Sequence, residues 1–257
     1  YCSNPPKKLC NKEECDNCYN KSFASYEGKT SNGKLKVECW HKDNELKPRK
    51  VFKSCNKKFK FNCDVCNHDF PSLLNKVSGK NNSWCSYCSN KKLCNKEDCN
   101  NCYNKSFASY KGKTSNDKLK VYCWHKDNKL KPKKVFKSSG KKIKFNCDVC
   151  NHNFSSSLNN ILRFNNWCPY CSNQTLCNKE ECEHCYNNSF ASYKGKTLNG
   201  KLKVYCWHKD NELKQRYVFK SSGKKFKFNC DVCNHDFSSR LTGVLGLHSW
   251  FSYCSYK

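Results

Sequence analysis

The 257-residue chain carries 49 Lys+Arg against 21 Asp+Glu, a formal net charge of +28, and 25 Cys. With 37% hydrophobic residues and a mean hydropathy of -0.97 it is too polar to be held by one conventional apolar core. No run approaches the roughly 18–20 apolar residues that span a bilayer, so no membrane-spanning helix is expected. The opening Tyr1-Cys2-Ser3-Asn4-Pro5-Pro6 has no apolar stretch of a secretion signal, and there is no Met, which reads as a processed chain or a piece of a longer one. The 45 Lys and 34 Asn beside 4 Arg and 3 Ala follow A/T-rich coding, so part of the positive charge is compositional background.

Repetition organises everything else. Leu9-Cys10-Asn11-Lys12-Glu13 returns at Leu93–Glu97 and Leu176–Glu180, and Phe61–His68 returns at Phe145–His152 and Phe228–His235. Residues 1–6 match the closing residues of a unit and read as the tail of a preceding repeat; repeats follow at 7–90, 91–173 and 174–257.

Each repeat opens with C-x4-C-x2-C and one further Cys about twenty residues on: Cys10, Cys15, Cys18 and Cys39; Cys94, Cys99, Cys102 and Cys123; Cys177, Cys182, Cys185 and Cys206. These predict a zinc site, with the fourth thiol preferred over His41, His125 and His208, which lie two residues beyond it. Next, Val135–Cys147 predicts a β-hairpin turning at Ser139-Gly140, with Ile143, Phe145 and Cys147 inward and Lys142 and Lys144 outward. The second cysteine group follows as two C-x2-C pairs: Cys63, Cys66, Cys85 and Cys88; Cys147, Cys150, Cys168 and Cys171; Cys230, Cys233 and Cys254, with Phe251 in place of the remaining Cys. Two such pairs about eighteen residues apart present four thiolates to one tetrahedral ion and leave no position for water, so the site is structural. His248 is a candidate replacement donor in the third copy. Between the pairs, Ser156–Phe164 predicts a short helix with a Ser cap and Leu158, Ile161 and Leu162 on one face. Trp84, Trp167 and Trp250 read as core lids, and His68, His152 and His235 as packing residues rather than ligands. About five to six structural zinc ions per chain, each contributing on the order of 10 kcal/mol, replace the missing core.

The run Cys147-x-x-Cys150-x-His152-x-Phe154 with Trp167-Cys168-Pro169-Tyr170-Cys171 resembles the zinc-ribbon, treble-clef-like repeats of large DNA viruses, and so does the segment Asn211-Glu212-Leu213-Lys214 with its copies at 44–48 and 128–132. The resemblance covers all three units. It implies small metal-stabilised α+β modules: a tandem array of zinc-ribbon-like repeats with β-hairpins, zinc knuckles and short helices. It also implies an intracellular or virion-packaged protein, in some relatives followed by a nuclease-like domain. The chain departs from the pattern at Phe251 and at Cys39-Trp40-His41.

Five complete four-thiolate sites and one three-thiolate site would remove about 11 charges and leave about +17. The outward lysines recur in register at Lys58 and Lys60, Lys142 and Lys144, Lys225 and Lys227, with Arg49, Lys133 and Arg216 at a second repeated position. A linear array of basic patches suits a polyphosphate, which predicts binding of nucleic acid, DNA of low specificity, mainly through the backbone. The alternative is a virion or scaffold module that binds other viral proteins. His41-Lys42-Asp43-Asn44 and its copies superficially resemble a zinc-supported nuclease motif, but three identical active centres in one chain are not expected, and no enzyme activity is predicted.

Overall fold

The computed structural model describes residues 8–79, 84–163, 167–246 and 250. One order of elements occurs three times. In the first copy it runs α1 (Asp16–Lys21), short 3-10 turns at Phe23–Ser25, Lys36–Cys39 and Pro48–Lys50, then β1 (Lys58–Asn62), β2 (Asp69–Leu73) and α2 (Leu74–Ser78). The second copy has α3 (Asn100–Lys105), β3 (Lys142–Asn146), β4 (Asn153–Ser157) and α4 (Leu158–Arg163); the third has α5 (Glu183–Asn188), β5 (Lys225–Asn229), β6 (Asp236–Arg240) and α6 (Leu241–Val244). Each copy thus holds one two-stranded antiparallel sheet, as expected of small metal-stabilised α+β modules. The chain separates into two compact units, Tyr1–Tyr110 with Lys129–Lys137, and Lys111–Asn128 with Ser138–Lys257. The cut passes through the second sequence repeat.

The strands follow from alternation. In Lys58-Phe59-Lys60-Phe61-Asn62 the lysines are exposed and Phe61 is fully buried, facing Phe70 across the pair; Phe145 faces Phe154 and Phe228 faces Phe237 in the same register. The hairpin expected within 135–147 is corrected here. Lys142–Asn146 is a strand, but its partner is Asn153–Ser157, beyond the cysteine pair. The knuckle itself is the hairpin turn: the Cys147 N–H donates to the His152 carbonyl at 2.8 Å and the Asn151 N–H to the Cys147 carbonyl at 3.0 Å. Asn151 holds φ 56, as Asn67 (51) and Asn234 (56) do, a left-handed position that Asn tolerates better than most residues. Val135 instead accepts from the Phe107 N–H at 2.8 Å, beside the isolated bridge between Ser106 and Phe136. The helix expected from Ser156 starts two residues later, because Ser156 and Ser157 still belong to β4; the Ser157 hydroxyl caps it by accepting from the Asn160 N–H at 3.3 Å. Its expected last residue, Phe164, lies outside the described residues.

Each module has a small aromatic core. In the first, Phe23, Val51, Phe61, Phe70, Leu74 and Val77 are buried together, with Trp84 edge-on to Phe61 and Phe70 at 5.5 and 5.0 Å. Phe190, Val218, Phe228, Leu241, Val244 and Trp250 build the third. A buried lysine completes each lid. The Lys203 ammonium donates to the Val244 carbonyl at 2.9 Å and sits 5.5 Å from the Trp250 ring centre, and Lys36 and Lys120 stand likewise over Trp84 and Trp167.

Candidate metal centres

Cys63, Cys66, Cys85 and Cys88 converge, and so do Cys147, Cys150, Cys168 and Cys171, with all sulfurs of each set within 4.8 Å of one another. One pair of each set comes from the hairpin turn and the other pair from the turn behind the Trp lid. The Cys63–Cys88 and Cys66–Cys85 sulfurs lie 3.6 Å apart, as do Cys147–Cys171 and Cys150–Cys168. Four sulfurs about 2.3 Å from one tetrahedral ion are spaced about 3.8 Å. A disulfide needs about 2.05 Å. The donor sets therefore fit zinc. Burial opposes charge on Cys63, but backbone N–H groups of the knuckle and the neighbouring thiols outweigh it and lower that thiol. Of the third copy's set, Cys254, Phe251 and the candidate donor His248 lie outside the described residues.

The first cysteine group is closed differently from the expectation. Cys94, Cys99 and Cys102 gather around His68, and Cys177, Cys182 and Cys185 around His152. His68 Nε2 stands 3.3 Å from Cys99 Sγ and 3.6 Å from Cys102 Sγ; His152 Nε2 stands 3.4 and 3.6 Å from Cys182 and Cys185. A nitrogen and a sulfur on one tetrahedral zinc are about 3.5 Å apart. Both imidazoles are buried, stacked at 4.3 and 4.0 Å on Tyr87 and Tyr170. They are thus the fourth donors, not packing residues. Each comes from the repeat before the one whose cysteines it completes. Cys10, Cys15 and Cys18 form the same triad at the head of the first repeat. Among the described residues these four tetrads and one triad suit about five structural zinc ions.

Cys39, Cys123 and Cys206 do not join those triads. All three are buried, and the Cys123 thiol faces Asp148 Oδ1 at 3.9 Å. Burial first, and then the Asp148 and Asp231 carboxylates, push Cys123 and Cys206 up to about 11, and burial with Asp64 raises Cys39 too. That environment keeps a thiol neutral and suits an S–H donor to the aspartate, which also accepts from Thr114 at 2.7 Å. By contrast Cys10 is lowered to about 7, chiefly by the Cys18 thiol, and Cys177 to about 6, where hydrogen bonds from His152 and the Lys179 backbone overcome burial.

The basic residues divide. Arg49 Nη2 donates to the Lys12 and Cys15 carbonyls at 2.9 and 3.3 Å, and Arg216 to those of Lys179 and Cys182 at 2.8 and 3.2 Å. Lys133 reaches the Glu97 carbonyl. All three thus bond to backbone carbonyls of the triad loops, and Arg49 also helps lower the Cys10 thiol. Lys58, Lys142 and Lys225 are exposed on the outer face of their strands. Lys60, Lys144 and Lys227 share that face, about half exposed, each with a surface aspartate (Asp43, Asp127, Asp210) at 3.3 to 3.5 Å. His41, His125 and His208 sit in the same neighbourhood beside those aspartates, away from the triads.

Residues 120–174, which hold the four-cysteine set of the second copy, match the family described as "Probable Treble clef zinc finger domain". The chain is also 30% identical over 248 residues to an uncharacterized protein of Acanthamoeba polyphaga mimivirus, across 95% of this chain and 54% of that protein. It therefore spans about half the length of the curated relative it matches. The family match, the viral relative and the cysteine clusters together bear out the resemblance to the zinc-ribbon repeats of large DNA viruses. No helix among the described residues is long and apolar enough to cross a membrane.

Proposed function

We propose that this structural-zinc array binds nucleic acid, DNA of low sequence specificity, through its phosphates, and serves as a targeting module rather than a catalyst. The observation that carries the reading is the same pair of exposed lysines on the outer strand of all three hairpins: Lys58 and Lys60, Lys142 and Lys144, Lys225 and Lys227. Their aspartate partners are themselves about half exposed, and ion pairs of that kind are weak enough for a phosphate to displace. Closing two sites with histidine also leaves more positive charge than four-thiolate sites do, since a three-thiolate zinc carries −1 and a four-thiolate zinc −2. Base reading is not favoured, because Arg49 and Arg216 are committed to the triad loops.

Fluorescence anisotropy with labelled oligonucleotides tests this. Six phosphate contacts predict an affinity loss of about 10³ between 50 and 200 mM salt. Replacing Lys58, Lys142 and Lys225 by Glu should abolish binding with zinc content unchanged. No binding of zinc-loaded protein at low salt would refute the reading and favour a scaffold role.

A further inference from the structure

We infer that the groove beside the outer lysines of the first hairpin takes an unpaired nucleobase, so that the array holds single-stranded DNA by stacking as well as by phosphate contacts; the inference rests on the phosphate-binding function proposed above. The groove, of about 370 Å³, lies between the turn at 43–46 and β1. Leu46, Phe59 and Pro71 give it an apolar lining, and Lys57, Lys58 and Lys60 supply cations. Its volume falls in the roughly 300–1,000 Å³ range of small-ligand sites. Asp43 and Glu45 also line it, but three lysines outnumber two carboxylates, and Asp43 is already paired with Lys60 at 3.3 Å and His41 Nδ1 at 3.5 Å.

Neighbouring side chains hold the groove in shape. The Trp40 ring backs Phe59 at 4.7 Å, and its indole N–H donates to the Leu46 carbonyl at 2.9 Å. Asn44 ties the turn to β1: its amide oxygen accepts from the Lys60 N–H at 2.9 Å and its amide nitrogen donates to the Lys60 carbonyl at 2.8 Å. Phe59 stays half-buried and Leu46 exposed, so apolar area at the groove remains open to solvent. The third hairpin repeats the set. Trp207 lies 4.8 Å from Phe226 and donates to the Leu213 carbonyl at 3.0 Å, and Lys224, Lys225 and Lys227 are exposed on the same strand and just before it. In the second hairpin Ile143 takes the place of Phe59 and is buried. A duplex keeps its bases stacked on one another and offers such a groove phosphates alone. A single strand offers a phosphate to the lysines and a π-face to the ring, a combination that holds strands without reading their sequence.

Fluorescence anisotropy of the full, zinc-loaded chain with three labelled probes of equal length tests the inference: oligothymidylate, a strand without bases, and a duplex. The wild type should bind oligothymidylate about ten-fold or more tighter than the strand without bases, since each stacked base is worth about 5- to 150-fold. Phe59→Ile combined with Phe226→Ile installs the residue that the second hairpin already carries at 143. That double variant should lose the advantage of oligothymidylate, with zinc content, salt slope and affinity for the other two probes unchanged. Equal wild-type affinity for oligothymidylate and the strand without bases, undiminished oligothymidylate binding by the double variant, or a loss that falls equally on the duplex would each overturn the stacking site while leaving phosphate binding in place. No binding of any probe at low salt would overturn both.

Discussion

His68 Nε2 and Cys99 Sγ lie 3.3 Å apart although 31 positions and a sequence-repeat boundary separate them. The donors of this one cluster thus come from two successive sequence repeats. A zinc ion at His68, Cys94, Cys99 and Cys102 ties the hairpin of one repeat to the head of the next, so metal binding couples the folding of neighbours.

Replacing His68 by Ala should release one zinc and leave the Cys63–Cys88 set loaded. Partners outside the coordination sphere are worth about 10–100-fold in metal affinity, and loss of a direct donor should exceed that. His68→Cys should restore retention. Competition with a chromophoric chelator, with zinc counted by mass spectrometry of the native protein, measures both.

Cys123→Ser and Cys102→Ser should behave oppositely. The first keeps every zinc, because Cys123 is a buried neutral thiol beside Asp148. The second empties the His68 site. Equal zinc loss from the two would restore the assignment of Cys123 as a ligand.

These two cysteines show what the sequence could tell. The sets closed by C-x2-C pairs are legible because a short turn fixes each pair, and spacing along the chain stands in for distance. The triad Cys94, Cys99 and Cys102 is legible for the same reason. Its fourth donor is not, since Cys123 is nearer in sequence and His68 nearer in space; only the regular offset between each His and the following triad hinted at it. The Ser139-Gly140 signal likewise suggested a turn, while the true turn lay inside the knuckle, where Asn151 rather than Gly takes the left-handed position. The outward lysines were readable from alternation, but Arg49 and Arg216 look the same in sequence whether they face phosphate or carbonyl.

The thiols set opposite pH responses. Cys177, lowered from 9.0 to about 6, favours the folded state fully above pH 9 and loses that contribution as pH falls through about 6. Cys123, raised from 9.0 to about 11, contributes fully below pH 9 and loses it as pH rises through about 11. Urea midpoints of the reduced, zinc-loaded chain should therefore fall on both sides, with zinc at His152, Cys177, Cys182 and Cys185 moving the acid fall to lower pH. Cys177→Ser should shrink the acid limb and Cys123→Ser the alkaline one, with Cys10 and Cys206 retaining part of each.

Arg49→Ala should weaken zinc at Cys10, Cys15 and Cys18, since it removes donors to the Lys12 and Cys15 carbonyls and a charge that helps lower Cys10. The salt slope of nucleic-acid binding should not change. A slope reduced by about one would instead place Arg49 on a phosphate.

Lys203→Leu should destabilise the third module by about 1–3 kcal/mol, because the Val244 carbonyl loses its buried donor. Thermal unfolding of the zinc-loaded chain against the wild type measures it.

The shared site also shapes how such an array can change length. A whole period of 83 or 84 residues, wherever its ends fall, carries one histidine of the His68 kind and one triad of the Cys94 kind. Duplicating or deleting that period at any phase therefore leaves every internal triad with a donor. Insertions of other lengths that add a triad without its histidine would leave thiolates open inside the array. Gene duplication in register is thus the one route by which this architecture grows without creating an unfinished metal centre between its modules.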